Sequence, residues 1–88
     1  MNVRFERSFA RDLKAVQDRA LQQRIKAMIE QIELCTHLHE LNQVKSIEGE
    51  RGYYRIRIGD YRLGLFLEGD TAILVRFLHR KEIYRYSP

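Results

Sequence analysis

Three arginines, Arg55, Arg57 and Arg62, crowd around a Gly59-Asp60 dipeptide, and side chains of this type bind phosphate. A guanidinium is planar and permanently charged, and its paired N–H donors match the oxygens of a phosphate. Gly-Asp between two runs of alternating residues reads as the two-residue loop of a β-hairpin. That loop fixes a register: Ile58 faces Tyr61, Arg57 faces Arg62, Ile56 faces Leu63, Arg55 faces Gly64 and Tyr54 faces Leu65. One face then carries the apolar set and must be the core side. The other carries Arg55, Arg57 and Arg62 with Tyr53, Gly64 and Phe66. Like charges directly opposite each other cost part of the ~0.2–1 kcal/mol typical of a cross-strand pair, so folding alone gives no reason for Arg57 to meet Arg62. Gly64 is a poor strand residue that leaves a hollow opposite Arg55, and Tyr53 and Phe66 offer rings on which a base can stack. An ordinary solvated basic face is the competing reading, and the Arg57/Arg62 juxtaposition weighs against it.

Other residues with chemical potential point elsewhere. Cys35, His37 and His39 form a C-x-H-x-H run, but structural zinc takes four ligands and no fourth Cys or His lies nearby in sequence; no metal and no cofactor is expected. A lone cysteine cannot close an internal disulfide, in keeping with a reducing, cytoplasmic compartment. Glu48 and Glu50 are acids that could act as a base, although a loop position favours solvation.

Charge placement supports an anionic partner for the second half. Residues 1–50 hold eight Lys/Arg against eight Asp/Glu, whereas residues 51–88 hold eight against four, so the whole net charge of +4 lies in the second segment. Seven of those eight bases are arginine. With 88 residues there is room for one domain, 1–88, and one modest core. No run approaches the ~20 apolar residues of a membrane span, and the opening Met1–Glu6 has no apolar signal core.

The elements that must position the arginines follow from periodicity. Val3 and Phe5 alternate with polar neighbours as in a short strand. Ser8 stands where a helix N-cap belongs, and Phe9, Leu13 and Val16 make a helical stripe ending near Gln17. Asp18 can cap a second helix carrying Leu21, Ile25, Met28, Ile29 and Ile32 through about Leu34, giving a helical hairpin. Periodicity dissolves from Cys35 to Gly52, read as a long connection. Strands Tyr53–Ile58, Tyr61–Leu67 and Thr71–Leu78 follow as a meander, and the last is apolar almost throughout, as in a strand covered on both sides. The direction of Arg76 cannot be read. The residues after His79 fit a helical turn or an irregular tail.

This β-α-α-β-β-β order, with the run Tyr54-Arg55-Ile56-Arg57-Ile58-Gly59-Asp60-Tyr61-Arg62 and the terminal His79-Arg80-Lys81-Glu82-Ile83-Tyr84, resembles the RelE/ParE toxin superfamily across nearly the whole chain. Lys45 and Gly49 sit where related toxins have a Lys…Gly stretch before the sheet. The resemblance implies an α+β fold, with an antiparallel sheet packed on an α-helical hairpin. It also implies a type II toxin that enters the ribosome and cleaves messenger RNA in the A site, the message's own 2′-hydroxyl attacking the adjacent phosphate without a metal. The catalytic roles it implies fall on Arg55, Arg57, Arg62, Arg80 and Tyr84. Arginine, with a pKa above ~12, stabilises a phosphorane but shuttles protons poorly. His79 is therefore expected to handle protons, or else to bind phosphate only, since an ordinary imidazole titrates near ~6.5. Tyr84 either stacks on a base and positions the 2′-hydroxyl or packs the tail on the sheet. Lys45, Tyr53 and Lys81 are expected to bind RNA.

Two rival readings stay open. ParE-like chains of the same superfamily poison DNA gyrase, and they generally lack the strand bases and terminal tyrosine. A non-catalytic RNA-binding or antitoxin-docking module is the other. The resemblance also implies a cognate antitoxin, acidic and helix-rich, through which the complex would bind its own operator DNA.

Overall fold

The alternating Asn2–Phe5 segment forms strand β1, and Tyr53–Ile58, Tyr61–Glu68 and Thr71–His79 form three long strands, β3, β4 and β5. A strand of three residues, β2 (Val44–Ser46), lies inside the segment expected to be a plain connection. Among the described residues there are three α-helices, α1 (Arg7–Lys14), α2 (Arg19–Leu34) and the single turn α3 (Arg80–Ile83), and one 3-10 turn at Leu38–Glu40. The computed structural model describes residues 1–85; the end of the expected tail, 86–88, lies outside the described residues. No described helix is long and apolar enough to cross a membrane.

The sheet order is β1-β5-β4-β3-β2. It is mixed, because β1 runs parallel to β5 while every other pair is antiparallel. The β3–β4 register is the one that the Gly59-Asp60 loop dictates, from Ile58 opposite Tyr61 to Tyr53 opposite Phe66. Gly59 takes φ +60°, the left-handed region that glycine enters without penalty.

Helix α2 begins as expected, the Asp18 carboxylate accepting from the Leu21 amide at 3.1 Å. Helix α1 does not. Its N-cap is Glu6, without a side-chain cap, and Ser8 lies inside the helix, its hydroxyl donating to the Val75 carbonyl. The hydroxyl is used there because β1 pairs with β5 only as far as Leu74, leaving the rest of that edge without a strand. Helix α1 covers the edge instead. Ser8 takes the Val75 carbonyl, and Asp12 accepts the Phe77 amide at 2.8 Å.

Phe9, Leu21, Ile25, Met28 and Ile32 from the helices meet Ile56, Ile58, Leu63, Leu65, Leu74 and Phe77 from the sheet in one buried core. Ile83 of α3 is fully buried apart from that core, and α3 packs on β4 and β5. Strand β5, flanked by β1 and β4, is thus enclosed as its apolar run requires.

Candidate nucleic-acid interface

Pairing places the basic residues of three neighbouring strands on the sheet face away from the core. Lys45 of β2 is opposite Arg55 of β3, which is opposite Gly64 of β4, and Arg57 is opposite Arg62 in the adjoining row. Cα partners in a sheet point to the same side. Lys45, Arg55, Arg57 and Arg62 line one groove of about 960 Å³ together with the rest of the 42–48 segment, Glu48 included, and Tyr84. The Arg55 guanidinium carbon lies 5.2 Å from the centre of the Tyr84 ring, within cation–π range. Arg62 folds back over its own turn, Nη1 donating to the carbonyls of Gly59 at 3.0 Å and Tyr61 at 2.9 Å. That anchorage ties the guanidinium to carbonyl oxygens of the hairpin turn, whose partial negative charge offsets part of the repulsion between the two arginines.

Among the described residues the one ion pair is Arg76 with Asp12, Nε to Oδ2 at 2.8 Å. Among the groove's bases, Lys45, Arg57 and Arg62 lie beyond ion-pair distance of any described carboxylate. Arg76, whose direction the sequence left open, is paired in register with Gly64 and reaches across the edge of β5 to α1.

Several expected positions differ. The hollow at Gly64 is not open: Gly64 is buried and lines no groove, and the open space is displaced toward β2. Tyr53 stacks obliquely on Phe66, ring centres 4.8 Å apart, beside the groove but not lining it. His79 requires a correction. It pairs with Tyr61 on the helix side of the sheet, packs edge-on against that ring at 5.5 Å, and its Nδ1 accepts the Lys81 amide at 3.2 Å as the cap of α3. It lines neither basic groove, because its place in β5 turns it away from Arg57 and Arg62. Lys81 is exposed on α3 and lines neither groove, while Arg80 lines a second one of about 570 Å³ together with Arg57 and Arg62.

Sequence reasoning left Glu48 in a solvated loop. It lines the groove because the three residues of β2 pair with β3 and draw the following segment along the arginine face. The C-x-H-x-H run divides: Cys35 is buried and its thiol donates to the Ile32 carbonyl, whereas His37 and His39 are exposed and stack on one another at 5.4 Å.

A family model described as the ParE toxin of type II toxin–antitoxin systems matches residues 3–84. The chain belongs to that family. As a RelE-like toxin of a type II system, it is 45% identical to Toxin RelE3 of Methanocaldococcus jannaschii over 89 residues, covering all of both chains. The toxin's fold is also that of a solved antitoxin–toxin complex, RelB–RelE from Methanococcus jannaschii. The TM-score is 0.82 with 42% identity, and the alignment covers 97% of this chain and 99% of that one. A third relative, in the RelBE2 toxin–antitoxin complex of Mycobacterium tuberculosis, aligns with a TM-score of 0.61 and 26% identity over 90% of this toxin and 96% of that chain.

Proposed function

We propose that this toxin is a metal-independent endoribonuclease that cleaves messenger RNA in the ribosomal A site. The observation that carries the reading is one groove lined by Lys45, Arg55, Arg57 and Arg62 together with an exposed Tyr84. The scissile phosphate sits among the guanidiniums, which stabilise the extra charge as the 2′-oxygen adds to phosphorus. The P–O5′ bond then breaks, leaving a 2′,3′-cyclic phosphate and a 5′-hydroxyl. The 2′-hydroxyl proton must go to a base and the departing 5′-oxygen must gain one. Glu48 is the carboxylate positioned to take the first, and the Lys45 ammonium is positioned to deliver the second. Tyr84, stacked near Arg55, supplies a ring for the adjoining base.

A cognate antitoxin belongs to the same reading, since relatives of this chain were solved as RelB–RelE complexes. It is acidic and helix-rich, it covers the groove, and it carries the pair to operator DNA. The description of the matching family as ParE toxins favours a second reading, a gyrase poison. Primer extension on messages after induction separates them. Cuts within codons, lost in Arg57→Ala and Arg62→Ala together with growth arrest, fit the nuclease; intact messages with gyrase-linked DNA breaks overturn it.

A further inference from the structure

The second groove shares Arg57 and Arg62 with the first, so the two form one continuous basic track around the tip of the β3–β4 hairpin. Its far wall is supplied by Arg24 of α2 and Arg80 at the start of α3, an element pair that the sequence gives no reason to associate. Arg24 lies against the hairpin turn. A Cβ built on Gly59 would sit 2.9 Å from Arg24 Nη1, on the turn whose carbonyl accepts from Arg62. The Arg80 amide donates to the Asp60 carbonyl at 2.8 Å, which fixes the start of α3 beside the same turn. Asp60 is the one carboxylate in the lining, and no described carboxylate is within ion-pair distance of Arg24, Arg57, Arg62 or Arg80. Four guanidiniums gathered at one end of the sheet repel one another, and a bound anion relieves that repulsion.

We infer that Arg24 and Arg80 form a second phosphate subsite, which holds the RNA backbone flanking the cleaved linkage. The inference rests on the RNA-cleaving reading and extends it: Arg57 and Arg62 hold the scissile phosphate, and the strand continues over the hairpin tip into the second groove. Arg24 contributes binding of flanking nucleotides and no step of the chemistry.

The test uses RNAs methylated at every 2′-oxygen, which bind but cannot be cut, in lengths of about four and about ten nucleotides, within the range single-strand sites span. Binding to the purified toxin is measured over a series of salt concentrations. The wild type binds the longer RNA more tightly. Arg24→Gln loses about tenfold on the longer RNA, the loss expected for one charge-assisted contact, and leaves the shorter one unchanged. Its salt slope falls by about 0.7, one phosphate contact on a single strand. Arg24→Lys restores the slope, which a purely structural role for Arg24 would not produce. Arg57→Gln weakens both lengths. Equal binding of both RNAs by the wild type, or an Arg24→Gln variant with unchanged long-RNA affinity, overturns the subsite while the effect of Arg57→Gln leaves the nuclease reading standing. Indifference of both lengths to Arg57→Gln overturns that reading itself.

Discussion

Removing the Asp12 carboxylate should cost this small toxin a large part of its stability. The carboxylate accepts three hydrogen bonds: Arg76 Nε at 2.8 Å, Arg76 Nη2 at 3.2 Å and the Phe77 amide at 2.8 Å. Its side chain is 8% exposed, against 25% for Arg76. An exposed ion pair contributes at most ~1 kcal/mol, but truncating one partner of a sheltered pair costs ~3–5 kcal/mol. The partial exposure of Arg76 lets water reach the guanidinium, so the lower end applies, about 3 kcal/mol for Asp12→Ala. For a domain of this size each kcal/mol moves the midpoint by ~4–8 °C, which sets the expected fall at about 15 °C. Asp12→Asn keeps an acceptor oxygen while losing the charge, and about half that fall is expected. Thermal unfolding followed by circular dichroism measures both, with urea titrations checking that the m value is unchanged. A fall below about 4 °C in Asp12→Ala, under ~1 kcal/mol, would show that the pair behaves as a surface pair and that α1 is not sealing the edge of β5.

Further expectations follow from the site and its supports. Glu48→Gln should slow message cleavage by about 100-fold or more, the range for a lost general base, whereas His79→Asn, which keeps a capping acceptor, should retain most of it; cleavage rates with the opposite ranking would return proton transfer to His79. Gly59→Ala places a side chain at φ +60° and pushes its Cβ to within 2.9 Å of the movable end of Arg24, so the backbone term dominates at about 1 kcal/mol; an unchanged melting temperature contradicts this. The Glu40 carboxylate accepts the His37 amide at 2.9 Å and the Thr36 amide at 3.2 Å, and the His37 bond chiefly holds its pKa below the ordinary carboxylate value. A pKa depressed by folding stabilises the native state above the unfolded value and ceases to do so as pH falls through the folded one. Urea midpoints of wild type and Glu40→Gln should therefore converge as pH drops through the carboxylate range near ~4, and a constant difference would rule out the bond as the cause.

The hairpin register was legible because two facts over-determine it: side chains alternate with a period of two, and Gly59-Asp60 allows one pairing that buries the apolar set. The same period misled nothing at Arg55, Arg57 or Arg62, which is why the basic face could be read without coordinates. Strand β2 was not legible. Three residues carry no periodicity of their own, and Val44–Ser46 is a strand only because β3, which follows after a six-residue loop, offers it an edge. Lys45 was found through the family resemblance, and Glu48 was set aside, for that one reason. Arg24 gave no signal at all, being one exposed base among several on α2.

The placement of His79 turns on a single residue. Leu65 is opposite Leu74, but Gly64 is opposite Arg76, so Val75 is an extra residue in β5, a bulge. Strict alternation from the buried Leu74 would send Arg76 and Leu78 toward the helices and Phe77 and His79 toward the arginines. The bulge exchanges those sides. Phe77 enters the core at 2% exposure, Arg76 is released to the edge where Asp12 receives it, and His79 lands beside Tyr61 and away from the groove. A run as uniformly apolar as Ile73–Leu78 hides such an insertion, since every residue but Arg76 suits either side. The device that makes the edge ion pair possible is therefore the one that leaves the arginine groove without a histidine among its lining residues, and under the proposed nuclease reading proton transfer there falls to Glu48 and Lys45.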